Sequence, residues 1–331
     1  VFASAEDKRF ARSLESGLES IESGLLAELS FSDALADVTS RYLLNAGGKR
    51  VRPTLTLLTA QLGDGVNADV LSVARAVELI HLASLYHDDV MDDAKMRRGV
   101  PSAQTVWGNS VAILTGDLLF ARASLSVAGL GEEAIRMQAT TFERLCLGQL
   151  HETMGPRDGD DAIAHYLQVL ADKTGSLIAT SAESGVMFSG APQEFRGPVR
   201  EFGEKIGIAF QLIDDVIDLS AHAEETGKLA GTDLRAGVVT LPLLYLREDA
   251  EHDADAAALL TRLTDISADP SADADFALAV AQLREHDATA RTVAEAHRWA
   301  TDAVAAIEPL PDGPVKKALT RFAATIVERS S

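Results

Sequence analysis

One cysteine, Cys146, in 331 residues excludes an intramolecular disulfide framework and a cysteine-built zinc cluster. The role expected of that thiol is a buried apolar one. Basic residues are scarce: 30 Lys and Arg stand against 50 Asp and Glu, a net charge of −20 that would repel a polyanion and argues against a nucleic-acid partner. Aromatics make up only 5% and sustained apolar–polar alternation is missing, so a strand-based fold is not indicated. Long uninterrupted apolar runs are missing too. The most apolar stretch, Val111 to Leu130, contains Asp117 and Arg122, which argues against a membrane-spanning helix. Near the first residue, Glu6, Asp7, Lys8 and Arg9 occupy positions where a signal peptide would be apolar. The location expected is the cytoplasm.

What the chain does have is helical periodicity. Val73, Val77, Ile80, His81, Ser84 and Leu85 follow the spacing of one helix face, and Ala and Leu abound. Gly and Pro gather at intervals, as in Gly63-Asp64-Gly65, Gly155-Pro156 and Gly197-Pro198, and read as corners between helices. No Pro, Gly and Ser-rich linker separates halves of the chain. The expectation is an all-α fold, with residues 1–331 forming a single domain. Ala221 to Val239 and the acidic Asp265 to Asp275 read as polar connections.

Two aspartate clusters sit inside otherwise apolar helical sequence. Asp88-Asp89-Val90-Met91-Asp92 follows Leu79 to His87, and Asp214-Asp215-Val216-Ile217-Asp218 follows Ala209 to Ile213. In each, the first and last carboxylates are four residues apart and share a helix face. Like charges so placed cost roughly 0.2–0.5 kcal/mol even on an exposed helix, and far more when buried without a cation. One such cluster alone is equally well read as a solvated acidic face. The same spacing twice, in apolar surroundings, points instead to a hard cation such as Mg²⁺, which takes one or two carboxylates, waters and phosphate oxygens. Neither cluster has the alternating ligands and central glycine of a calcium-binding loop.

Cations are grouped near these motifs. Gly47-Gly48-Lys49-Arg50-Val51-Arg52-Pro53 concentrates three, Arg97-Arg98-Gly99 follows the first cluster, and Lys173-Thr174 and Lys228 add others. In a chain so poor in basic residues, this grouping fits a phosphate-bearing ligand. His81 shares a helix face with Ser84, Asp88 and Asp92 and is assigned to the same site, whereas His87 lies off that stripe and is left structural.

Together, G-G-K-R-x-R-P, H-D-D-x-x-D-D with R-R-G, K-T, F-Q-L-x-D-D-x-x-D, G-K-x-x-G-x-D-L and T-L-P at Thr240 to Pro242 resemble the trans-isoprenyl diphosphate synthase family, in family order from Gly47 to Pro242. The resemblance implies an all-α bundle of the isoprenoid synthase type with a central apolar cavity. It implies Mg²⁺ held by Asp88, Asp92 and Asp214, with Asp89, Asp215 and Asp218 in support. Arg97, Lys173, Thr174, Gln211 and Lys228 match positions around an allylic diphosphate, and Lys49, Arg52, His81 and Arg98 match those around isopentenyl diphosphate. The implied reaction ionises the allylic diphosphate, joins the cation to isopentenyl diphosphate, and passes a proton to the released diphosphate. Metals and cations stabilise the leaving charge while a dry cavity protects the carbocation.

In this family the positions four and five residues before the first aspartate help set product length. Here they are Ser84 and Ala83, both small, so a long-chain all-trans product is expected, with geranylgeranyl diphosphate as the alternative. Tyr86 lies nearer the cluster at a different helical angle. A homodimer, and transient membrane contact for product release, also follow from the resemblance. A class I terpene cyclase would replace the second aspartate motif, and a noncatalytic synthase subunit would have lost its aspartates. Both are disfavoured.

Overall fold

The computed structural model describes residues 5–220, 230–266 and 272–330. It is all-α, with one short hairpin among the described residues. The helices are α1 (Ala5–Glu28), α2 (Ala34–Asn45), α3 (Val51–Ala60), α4 (Ala68–Met91), α5 (Ala103–Trp107), α6 (Asn109–Ala128), α7 (Glu132–Met154) and α8 (Ala162–Leu170). After a π-helical turn at Ala171–Gly175 come α9 (Ser176–Phe188), α10 (Arg196–Asp218), α11 (Thr232–Arg235) and α12 (Leu241–Ala250). The last four are α13 (Ala254–Ile266), α14 (Asp273–Glu285), α15 (Asp287–Ala306) and α16 (Pro314–Val327).

Two compact units contain these elements. The first comprises Val1–Leu145, Ser176–Gly203 and Ala306–Ala318, and the second Cys146–Gly175, Glu204–Ala305 and Leu319–Ser331.

In the first unit α4 is the central helix. Asn67 caps its start by accepting the Val70 N–H at 2.9 Å, satisfying an amide that the first turn leaves without a helical partner. Val73, Val77, Leu79, Ile80, Leu82 and Ala83 are all buried, so apolar contact surrounds much of the helix. Full burial of one such Val, Leu or Ile side chain contributes about 1.5–3 kcal/mol. Helix α3 packs against α9 through hydroxyls as well as methyls. Thr56 and Thr59 donate to the carbonyls of Ser181 and Ala182 at 2.9 and 2.7 Å. Gly185 permits this approach, because a Cβ there would collide with the Thr59 hydroxyl and the Thr56 carbonyl.

The second unit has its own core, in which Leu246, Leu259, Leu263, Phe276, Val280 and Leu283 of α12, α13 and α14 are buried together. Helix α8, capped by Asp161 on the amides of Ile163 and Ala164, packs against α12.

The expectation for Cys146 changes here. Cys146 is exposed, not a buried core thiol, because its position on α7 turns outward while Leu145 turns in. Helix α6, despite Asp117 and Arg122, is long and apolar enough to cross a membrane by length and composition; one third of the most apolar window is buried, and it packs along α4.

Candidate active site

The first aspartate motif closes α4. The helix ends at Met91, and Asp92, with φ −89° and ψ 1°, is its C-cap, its N–H bonding the Asp88 carbonyl at 2.8 Å. Asp93 follows at φ 47° and pairs with Lys95 at 2.8 Å. The second motif closes α10, which ends at Asp218. A helix C-terminus carries the negative end of the backbone dipole and favours a cation. Neither helix has a basic residue in its last turn; each has carboxylates there instead. The sequence spacing placed these groups on helices, and the structure adds that both motifs sit where negative charge is least welcome.

Within the first motif Asp89 is fully buried. Its Oδ1 accepts from Arg97 Nε at 2.6 Å, while Oδ2 has no hydrogen-bond partner among the described residues. Burial raises its pKa, and the Arg97 guanidinium works against that rise. Arg97 stands on a two-stranded hairpin pairing Met96 with Pro101 and Arg97 with Val100. Its turn residues, Arg98 and Gly99, both have positive φ, 52° and 78°, as a tight two-residue hairpin turn requires. That turn sends the Arg98 guanidinium to the carbonyls of Leu43, at 2.8 Å, and Gly47.

Arg50, Arg52 and Arg98 of the first unit gather around a buried acid. Glu78, only 1% exposed, lies 3.3 Å from Arg50, which also reaches Glu22 and the carbonyls of Gly47 and Leu44. Burial raises the pKa of Glu78 even though Arg52, Arg50 and Arg98 pull it down. Desolvation likewise holds the Arg52 guanidinium down to about 10, outweighing Glu78, and its Nε lacks a partner among the described residues. His81 is half-buried beside this cluster. Burial first, then the charges of Arg52, Arg98, Arg97 and Arg50, hold its pKa well below the usual imidazole value, so the ring is neutral at pH 7. Lys49 is exposed at the edge of the same segment. Glu78 has no place in the sequence assignment, yet it lies three residues before His81 on α4 and so shares a helix face with it.

Ala83 is fully buried, and Ser84 donates to the His81 carbonyl at 2.9 Å. The Tyr86 hydroxyl donates to Thr39 O at 2.5 Å and accepts from Leu43 N–H at 3.2 Å, which commits its ring to α2. His87 contacts the Ile113 carbonyl at 3.0 Å over Gly116, in keeping with a structural role.

In the second unit Asp215 is 2% exposed. It accepts from the hydroxyl of Tyr166 and is bonded by Gln211. Burial lifts its pKa well above the carboxylate range, with Asp233 and Asp214 adding to the rise. Asp218 accepts the Asp233 N–H at 3.0 Å, and its carbonyl takes the Gly231 N–H at 2.8 Å. Asp214 pairs with Arg329 at 3.1 Å. Lys173, in the π turn with Thr174, reaches Glu152 at 2.5 Å. Tyr166, Glu152 and Arg329 are absent from the sequence assignment. Tyr166 and Asp215 are 49 residues apart, and no local pattern links them. Lys228 lies outside the described residues.

Among the described residues no group of three or more His, Cys, Asp or Glu stands close enough to hold a metal unaided. Helix geometry explains this: consecutive aspartates diverge by about 100°, so each motif offers one pair on a shared face. Such a pair still fits Mg²⁺, which takes few protein carboxylates and completes its shell with water and phosphate. The all-oxygen donors, their place at helix C-termini, and the partnerless Oδ2 of Asp89 agree with a hard cation.

Residues 33–280 match the profile of the polyprenyl synthetase family. The chain is 44% identical over 325 residues to nonaprenyl diphosphate synthase of Mycobacterium tuberculosis, covering 98% of this chain and 95% of that one. It resembles the polyprenyl synthase of Caulobacter crescentus CB15, crystallised with calcium and isoprenyl diphosphate, with a TM-score of 0.88, 31% identity and 98% of each chain covered. It also resembles the geranylgeranyl pyrophosphate synthase of Corynebacterium glutamicum, likewise complexed with calcium and isoprenyl diphosphate, with a TM-score of 0.82, 36% identity, and 100% of this chain and 99% of that one covered. On these matches the chain belongs to the polyprenyl synthetase family, the trans-isoprenyl diphosphate synthases, and is a prenyltransferase.

Proposed function

We propose that the chain condenses isopentenyl diphosphate with an allylic diphosphate, in the presence of Mg²⁺, to make a long-chain all-trans polyprenyl diphosphate. The observation that carries this reading is the ending of α4 and α10 on carboxylates at their C-termini. Asp88, Asp92 and Asp214 are the residues proposed to hold the metal, with Asp89, Asp215 and Asp218 as supporting carboxylates. When bound, Mg²⁺ would neutralise charge on the departing diphosphate.

Arg97, Lys173, Thr174, Gln211 and Lys228 are assigned to the allylic diphosphate, where fixed positive charge favours cleavage of the carbon–oxygen bond. Lys49, Arg52, His81 and Arg98 are assigned to isopentenyl diphosphate, whose double bond supplies the electrons of the new carbon–carbon bond. A neutral His81 can donate one N–H to a phosphate oxygen without adding charge. Glu78 keeps the arginine cluster from self-repulsion before substrate arrives.

The small, buried Ala83 and the commitment of Tyr86 to α2 support the longer product. We further propose a homodimer, a second copy covering the apolar faces that α6 and α7 leave exposed at Leu114, Leu125, Ile135, Phe142 and Leu150. A cytoplasmic location and transient membrane contact for release of a long apolar product complete the reading.

The test is incubation of purified protein with labelled isopentenyl diphosphate, Mg²⁺ and dimethylallyl, geranyl or farnesyl diphosphate, followed by product sizing. The expected outcome is metal-dependent elongation past geranylgeranyl diphosphate. A ladder stopping there selects the shorter product, and no elongation with any primer refutes the proposal.

A further inference from the structure

Helix α8 runs without a break into the π turn that carries Lys173. One residue more than an α-helical turn is accommodated there, a distortion that often marks a working site. Seven residues before Lys173, on the regular part of the helix, stands Tyr166. Its hydroxyl donates to Oδ2 of Asp215, the middle carboxylate of the second motif. Asp215 is 2% exposed, so water cannot replace that donor, and Gln211 is its other named partner. Three residues further along the same helix, Asp218 accepts the Asp233 amide at 3.0 Å. The end of α10 is therefore tied at Asp215 by the Tyr166 hydroxyl, at Asp218 by the amides of Asp233 and Gly231, and at Asp214 by Arg329.

We propose that Tyr166 is a positioning residue for the prenyl transfer: its bond to Asp215 holds the end of α10 in register with the lysine-bearing turn, and so fixes where Asp214 presents its carboxylate. Adjacent helical residues diverge by a fixed angle, so locking Asp215 removes rotation of Asp214 about the helix axis. Lys173 is tied through Glu152 at 2.5 Å, within the same unit. A phenylalanine would fill the same space and deprive a buried carboxylate of one of its two donors. The inference deepens the proposed function and rests on it.

The test compares full-length wild type, Tyr166→Phe and Asp214→Ala. Mn²⁺ binding is followed by electron paramagnetic resonance with inorganic pyrophosphate present, and kcat and KM for isopentenyl diphosphate are measured alongside. Tyr166→Phe is expected to weaken Mn²⁺ about fivefold or more and to lower kcat about tenfold. The KM for isopentenyl diphosphate should stay within about twofold, a split that general loosening would not give. Mn²⁺ affinity and kcat both within about twofold of wild type, while Asp214→Ala loses metal, would overturn the inference and leave the parent reading standing.

Hydrogen exchange on the wild type is a second measurement that does not depend on how the variant folds. Mn²⁺ with pyrophosphate should protect residues 212–218 and 171–175 together. Protection of the first segment alone would also overturn the inference. Absence of turnover by the wild type would defeat the parent reading and this inference with it.

Discussion

Arg97 donates a 2.6 Å hydrogen bond to Oδ1 of Asp89, a carboxylate with no solvent exposure, and so joins the β-hairpin to the end of α4. The Arg97 side chain is 30% exposed, leaving part of it open to a ligand. Holding the helix end and contacting an allylic diphosphate are compatible tasks for such a side chain. Its removal should therefore have a stability cost in addition to any kinetic one. Arg97→Ala is expected to destabilise the protein by about 2–4 kcal/mol, somewhat below a fully buried pair because of that exposure. Urea unfolding measures it, and a change below about 0.5 kcal/mol would contradict the pairing.

His81 gives a pH dependence with a definite sign. Its folded pKa lies below the unfolded value of about 6.5, so between the two the unfolded chain binds a proton that the folded one does not. Its contribution is therefore present at neutral pH and declines as pH falls below the unfolded pKa. The raised pKa of Glu78 acts with the opposite sign. Subtracting a His81→Gln variant isolates the histidine. The fall in Tm from pH 7 to pH 5 should be smaller in the variant, and an equal or larger fall would contradict the assignment.

Much of this was legible in the sequence, for identifiable reasons. The buried face of α4 follows from Val73, Val77 and Ile80, since helical period is a local property that burial then exploits. The two aspartate motifs were legible because i, i+4 carboxylates in apolar sequence are costly without a purpose. That both motifs terminate their helices was not, since Asp92 becomes a C-cap through its backbone angles. Tyr166 and Arg329 meet Asp215 and Asp214 across long stretches of chain, where spacing carries no information. Cys146 departs from the expectation that thiols are buried, because its helical phase on α7 turns it outward.

Product length should respond to Ala83, which is buried and small. Ala83→Phe is expected to shift the product ladder toward shorter chains at an overpacking cost of about 1–3 kcal/mol. Circular dichroism establishes that the variant is folded, and product sizing reads the effect. An unchanged ladder in a folded variant would remove Ala83 from the determinants of length.

The exposed apolar stripe of α6 gives the assembly test. Leu114 and Leu125 are 61% and 68% exposed, too much apolar surface to leave uncovered on one helix without reason. A Leu114→Asp, Leu125→Asp double variant should sediment as a single chain where the wild type sediments as two. Two chains in both, or one in both, would refute the assigned face.

Both aspartate motifs are held to serve one metal-dependent reaction. The most direct measurement is turnover of labelled isopentenyl diphosphate with an allylic primer, as a function of Mg²⁺, for wild type, Asp88→Ala and Asp214→Ala. The account predicts that wild-type turnover needs the metal and that each variant loses about 100-fold or more, as expected when stabilisation of leaving charge is removed. Turnover close to wild type in either variant, or wild-type turnover indifferent to chelation of Mg²⁺, would contradict it.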